Sequence, residues 1–179
     1  MKKWITALSG SAILLGSNMA IAHPMDSSAS LLSGLSHPVT GLDHLIGILL
    51  IGILAWKIGA SSRWQLPLLF ISMMVCGFIA GQQGLYHASA ELVIMASLVV
   101  LGLMIAFSKR LSIGITSLIV TLFALQHGLA HGYEMAATSI AWQYALGFTL
   151  ATSLIMMSGA LLVMGIRQAR LSIATRQTR

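Results

Sequence analysis

Two short stretches concentrate the side chains that could bind a metal ion. The first, His37–His44 (HPVTGLDH), holds two histidines and an aspartate where a long apolar run begins. The second, His127–Glu134 (HGLAHGYE), closes another apolar run. Imidazoles and carboxylates together suit borderline divalent cations such as nickel, cobalt, copper or zinc. The two stretches therefore predict the two halves of one divalent-metal site.

The second stretch has the spacing of ligands on one face of a helix. His131 follows His127 by four residues, and Glu134 follows by three more. Side chains three and four residues apart share a helix face, and two histidines at this spacing can bind one metal ion. The prediction requires a helix that continues through Gly132.

The first stretch predicts a break rather than a helix. Pro38 and Gly41 disfavour helix before Asp43, so we expect His37 on a turn that folds back over Asp43 and His44. The dipole at a helix N-terminus favours a carboxylate there. Transporters commonly expose ion ligands at such breaks in membrane helices, where the break lines a cavity.

Composition places both stretches in a membrane protein. The chain is 57% hydrophobic and 8% charged with a formal net charge of +6, whereas soluble domains carry about 25% charged residues. The positive charge does not indicate nucleic-acid binding, because the basic residues lie in short connections between apolar runs. We predict an all-α membrane protein, a bundle of about five transmembrane helices. The apolar runs are 42–56, 65–84, 91–107, 111–131 and 139–166.

Two glycine pairs have the spacing that lets membrane helices approach each other closely. They are Gly77-x-x-x-Gly81 in the second apolar run and Gly128-x-x-x-Gly132 in the fourth. The one cysteine, Cys76, lies inside an apolar run and is expected to pack as a small buried residue.

The chain divides into three predicted segments. Residues 1–22 have the basic start, apolar centre and Ala-Ile-Ala end of a cleaved signal peptide, with an uncleaved first helix as the alternative. Residues 23–166 form the transmembrane domain. Residues 167–179 form a basic cytoplasmic tail that is expected to contact anionic lipid.

Charge predicts the orientation in the membrane. After the signal, every Lys and Arg lies between runs one and two, between runs three and four, or after run five. These connections share one side, which the positive-inside rule makes cytoplasmic, so the mature N-terminus faces the periplasm across the inner membrane. All acids and histidines fall on the outer half. Besides the two stretches, they provide four weaker ligand candidates: His23, Asp26, His87 and Glu91.

The two polar stretches and the exported His-Pro N-terminus resemble the HupE/UreJ family of nickel and cobalt permeases, as do LPLLFISMMVCG in run two and YALGFTLAT in run five. The resemblance implies secondary uptake of Ni²⁺ or Co²⁺ for maturation of metalloenzymes such as hydrogenase or urease. It implies metal-binding roles for His37, Asp43, His44, His127, His131 and Glu134.

Two positions depart from the family pattern. The segment Leu85–Glu91 lacks the usual Leu-Pro, and Met156 stands where the family often has a histidine. A thioether suits Cu(I) better than Ni²⁺, so a copper-handling membrane protein is one alternative. A metal-binding sensor or accessory protein that transports nothing is another.

Two further alternatives are a membrane cytochrome with His44 and His127 as axial ligands, and an intramembrane metalloprotease. The protease lacks a glutamate directly after His127, where the His-Glu-x-x-His motif places its base. We predict no enzymatic activity and no prosthetic group. The expected partners are membrane lipid and the transported metal ion, and no nucleic acid is expected to bind. The sequence leaves open whether the chain forms a homo-oligomer.

Overall fold

The computed structural model describes residues 27–59, 61–85, 90–135, 137 and 139–177. The predicted signal peptide, His23, Asp26 and His87 lie outside these residues. The described residues form six α-helices, one short 3-10 turn and no strand. The helices are α1 (Ser27–Thr40), α2 (Leu42–Ile58), α3 (Ser62–Gln82), α4 (Ala90–Ala106), α5 (Ile113–Glu134) and α6 (Ala141–Gln177).

Helices α2 to α6 correspond to the five predicted apolar runs, whereas α1 was not predicted. The expectation that His37 lies on a turn is wrong, because α1 includes both His37 and Pro38. Close packing on α6 explains the difference. A side chain on Gly34 would collide with the carbonyl of Tyr144, and one on Gly147 with the backbone of α1. This contact outweighs the local preference of a proline that lies in the last turn.

The predicted break occurs at Gly41, between α1 and α2. Gly41 is extended, with φ −101° and ψ 118°, and the axes of the two helices differ by 82°. The Thr40 hydroxyl donates to the carbonyl of His37 at 2.8 Å, which satisfies one acceptor at the end of α1. The chain therefore turns sharply between the two histidines of the first stretch.

Within the part of the chain that the structure describes, three helices are long and apolar enough to cross a membrane by themselves: α3, α5 and α6. The bent pair α1–α2 passes the same test when it is taken as one span. The remaining apolar helix, Leu92–Ala106 within α4, is shorter. The break at Gly41 is the reason that α2, with 17 residues, does not qualify without α1.

Helices α3 and α5 are held together by the two predicted glycine motifs, which face each other. A side chain on Gly77 would collide with the carbonyl of Leu125, and one on Gly128 with the carbonyl of Met74. The second glycine of each motif packs in the same way. Direct backbone contact of this kind is how small residues join membrane helices. It fixes the rotation of α5, and hence the direction in which its histidines point.

Helix α2 lies in the middle of the bundle, packed against α3, α4 and α6, and α1 packs along α6. Helix α5 packs against α3 and α4. Because α2 and α5 share these neighbours, they face each other across the interior. The core between them contains fully buried side chains such as Ile51, Leu54, Phe70 and Val120.

Candidate metal centre

Histidines from three helices lie close together at the junction between α1 and α2. His37 of α1, His44 of α2 and His131 of α5 each offer a ring nitrogen, and these nitrogens all lie within 4.8 Å of one another. The ring centroids are 4.5 Å apart for His37–His131 and 4.7 Å for His44–His131. We call these three residues the histidine cluster. Metal–imidazole bonds of about 2.0–2.1 Å place two nitrogens on one ion about 3–4 Å apart, so small side-chain rotations would suffice.

The carboxylate of Asp43 orients His44. The Nδ1 of His44 lies 3.0 Å from Oδ1 of Asp43. A carboxylate only accepts hydrogen bonds, so Nδ1 carries the proton and Nε2 keeps its lone pair. That Nε2 is buried and has no hydrogen-bond partner among the described residues. A carboxylate–histidine pair of this kind is how proteins hold metal-binding imidazoles in position.

A backbone carbonyl orients His127 in the same sense. Its Nδ1 donates to the carbonyl oxygen of Phe123 at 2.9 Å, which again leaves Nε2 as the free lone pair. His127 is 3% exposed, and its Nε2 has no hydrogen-bond partner in the described part of the chain. Its ring lies 5.5 Å from that of His44, centroid to centroid. His127 is therefore positioned as a ligand next to the cluster.

His131 is the most enclosed member of the cluster. Its side chain is fully buried, and neither ring nitrogen has a hydrogen-bond partner within the described ranges. Leaving one buried polar group unsatisfied costs about 1–3 kcal/mol. A divalent cation that accepted the lone pairs of the cluster would offset this cost, and imidazole nitrogens are donors that such a cation prefers.

Two carboxylates flank the opening to the cluster. A cavity of about 180 Å³ is lined by Asp43 and His44 of α2, Glu134 of α5, and Ile94 and Met95 of α4. Asp43 is 41% exposed, and Glu134 is exposed. The negative charge therefore lies at the mouth, and the neutral nitrogen ligands lie inside it.

The sequence profile described as "HupE / UreJ protein" matches residues 11–178, which include every member of this site. The chain belongs to the HupE/UreJ family. Protein HupE of Rhizobium leguminosarum bv. viciae is 32% identical over 142 residues, which cover 79% of this chain and 74% of that protein. No solved structure matches. Together with its apolar helices, the family makes the chain a multi-pass membrane protein.

In this HupE/UreJ chain, the helical stripe predicted for α5 is present. Helix α5 continues through Gly132 to Glu134, and its two histidines are buried, whereas Glu134 is exposed. At 1.5 Å per residue, His131 lies about 5 Å and His127 about 10 Å below Glu134 along the helix axis. The α5 candidates therefore follow one another along the helix from the exposed Glu134 to the buried His127. Of the weaker candidates, Glu91 lies in the first turn of α4.

Aromatic side chains form a wall of the site that sequence reasoning missed. The ring of Phe148 lies 4.4 Å from that of His131, and Tyr144 lies 5.9 Å from His37. Phe70 of α3 lies 5.9 Å from His127. Aromatic residues within apolar runs are normally core residues, so residue type alone did not indicate that these three contact the site. The four-residue spacing of Tyr144 and Phe148, which places both on one face of α6, was the available signal.

Proposed function

We propose that this protein takes up a divalent transition-metal ion, nickel or cobalt, across the inner membrane for metalloenzyme maturation. The observation that carries the proposal is the histidine cluster, in which three helices direct ring nitrogens to within 4.8 Å of one another. Ionisable and imidazole side chains at membrane depth are costly and usually functional. Membership of the HupE/UreJ family supports the same conclusion.

The order of the ligands suggests how an ion would pass. Asp43 and Glu134 raise the local concentration of divalent cations at the mouth. The histidine cluster then replaces water ligands with imidazole nitrogens, and His127 accepts the ion one helical turn deeper. Asp43 keeps Nε2 of His44 available throughout, because it holds the proton on Nδ1.

The energy for inward movement can come from the membrane potential. The sequence has no nucleotide-binding motif, so we propose secondary transport. A dication that moves inward gains about 4.6 kcal/mol per 100 mV. This direction requires the histidine end to face the periplasm and the basic end to face the cytoplasm, as the distribution of Lys and Arg predicts.

Accumulation of radioactive nickel in cells that lack other nickel uptake tests the proposal. Cells with the wild-type chain should accumulate nickel, and excess cobalt should compete more strongly than copper or zinc. His44→Ala or His131→Ala should lower uptake by more than the roughly 10–100-fold that loss of an outer hydrogen-bond partner costs a metal site.

Thr116→Val is a matched control, because Thr116 is also buried in α5 but donates to its own helix, to the carbonyl of Ser112 at 3.0 Å. It should keep uptake. Normal uptake in both histidine variants would exclude the assigned site. Nickel binding without accumulation would support the sensor or accessory alternative instead. Copper handling has weaker support, since Met156 packs in the hydrophobic core.

A further inference from the structure

The end of the bundle opposite to the histidine cluster carries a groove between α2, α4 and α6. Its volume is about 440 Å³. Lys57 in the last turn of α2 and Arg167 and Arg170 of α6 supply the polar part of its lining. The rest of the lining is apolar: Ile53, Ile105, Leu162, Val163, Ile166 and Leu171. The groove thus joins a cationic rim to a hydrocarbon wall.

The three cations have no acidic counterpart in the chain at this end. The sequence contains no Asp or Glu between residues 44 and 90, between 92 and 133, or after 134. None of the three cations forms an ion pair with another described residue; the carboxylate of Asp43, which is hydrogen-bonded to His44, lies at the other end. Three like charges around one groove repel each other, so an anion from outside the chain would stabilise the arrangement.

A fourth basic residue at this end, Arg63, shows the contrast. Arg63 lies with its guanidinium 4.3 Å from the centre of the Trp56 ring. That cation–π contact gives Arg63 a partner within the protein. Trp56 and Arg63 line a different, almost wholly apolar cavity on the α3 side, so Arg63 is not part of the groove.

We infer that the groove binds an anionic glycerophospholipid, with its phosphate between Lys57, Arg167 and Arg170 and an acyl chain along the apolar wall. Basic pockets between membrane helices recognise anionic headgroups. Lys57 lies in the last turn of the apolar helix α2, and Arg167 follows the apolar stretch of α6, so the cations lie at headgroup level. The isoleucines, leucines and valine lie toward the hydrocarbon. A soluble anion would use the cations but not this wall.

Native mass spectrometry of the purified full-length protein tests the inference, with phosphatidylglycerol and phosphatidylcholine titrated separately. The wild type should retain phosphatidylglycerol at lower concentrations than phosphatidylcholine. Lys57→Gln/Arg167→Gln/Arg170→Gln should weaken phosphatidylglycerol binding by at least about tenfold, since each cation near a membrane surface contributes to attraction of anionic lipid. Lys109→Gln/Arg110→Gln/Arg176→Gln removes the same charge from exposed positions outside the groove and should keep the preference.

A third variant, Val163→Trp, keeps every charge but places a larger side chain in the apolar wall. It should reduce phosphatidylglycerol binding while leaving the thermal midpoint unchanged. If the triple groove variant fails to fold, this variant tests the inference by itself, and unchanged phosphatidylglycerol binding would overturn it. Equal losses in the two triple variants would overturn the inference in favour of diffuse attraction. Full competition by glycerophosphate without acyl chains would also overturn it, because the site would then recognise a soluble anion.

Discussion

At the scale of residues, the site is defined by the tautomers of its histidines. Asp43 fixes the proton of His44 on Nδ1, and the carbonyl of Phe123 does the same for His127. Both rings then present Nε2 as a lone pair, and both Nε2 atoms are buried without a hydrogen-bond partner among the described residues. Two unrelated hydrogen-bond partners thus produce one chemical result, which is what a metal-binding role requires.

The role of Asp43 predicts an intermediate effect for Asp43→Asn. The amide side chain keeps the size of the carboxylate but removes its charge and weakens its hold on Nδ1 of His44. We expect nickel affinity of the purified protein, measured by equilibrium dialysis, to fall by about 10–100-fold. His44→Ala should lose more. If Asp43→Asn lost as much as His44→Ala, Asp43 would be a direct ligand, and an unchanged affinity would remove it from the site.

At the scale of elements, glycines determine where the ligand-bearing helices lie. The contact of Gly34 and Gly147 holds α1 against α6, which places His37 over the start of α2. The facing glycine motifs hold α3 against α5, which directs His127 and His131 inward. The positions of three histidines thus depend on contacts that contain no metal ligand.

Gly128→Ala should therefore disturb both the fold and the site. The added methyl group would collide with the backbone of Met74, and overpacking of this kind typically costs about 1–3 kcal/mol. We expect a lower thermal midpoint in detergent and weaker nickel binding. Gly114→Ala is the matched control, because a side chain at Gly114 in the same helix meets nothing within 4 Å. Equal midpoints for the two variants would contradict the close packing of α3 on α5.

The same elements show what the sequence could and could not predict. The stripe of His127, His131 and Glu134 followed from helical spacing alone, because it lies within one long apolar run. Helix α1 did not, because Pro38 and Gly41 are local signals, whereas the contact that stabilises the helix joins Gly34 to a residue more than a hundred positions away. Convergence of His37 with His131 depends on that contact and on the bend at Gly41.

At the scale of the whole molecule, the two kinds of charge lie at opposite ends. The C-terminal ends of α1 and α5 and the start of α2 carry the histidine cluster and two carboxylates, whereas the C-terminal part of α6 and the last turn of α2 carry the cations of the groove. This separation was visible in the sequence once the apolar runs were placed. The number of membrane crossings was not, because α2 and α4 are each too short to decide it alone.

The proposed orientation predicts the sidedness of thiol labelling. Cys76 is the chain's one cysteine, and the expectation that it is buried is wrong, because it is exposed on α3. Its replacement by serine gives an unreactive background. In spheroplasts, an impermeant maleimide should label Ala137→Cys, between α5 and α6, without permeabilisation. It should label Arg176→Cys, near the end of α6, only after permeabilisation. The opposite pattern would invert the orientation and make inward transport from the histidine end untenable.

The central claim is that His37, His44 and His131 bind one metal ion together, and X-ray absorption spectroscopy of the nickel-loaded, purified protein tests it most directly. The wild type should show several imidazole nitrogens at about 2.0–2.1 Å, and His44→Ala should show one fewer. Thr116→Val should leave the spectrum unchanged. A nickel site without imidazole scattering, or one dominated by sulfur at about 2.3 Å, would contradict the claim.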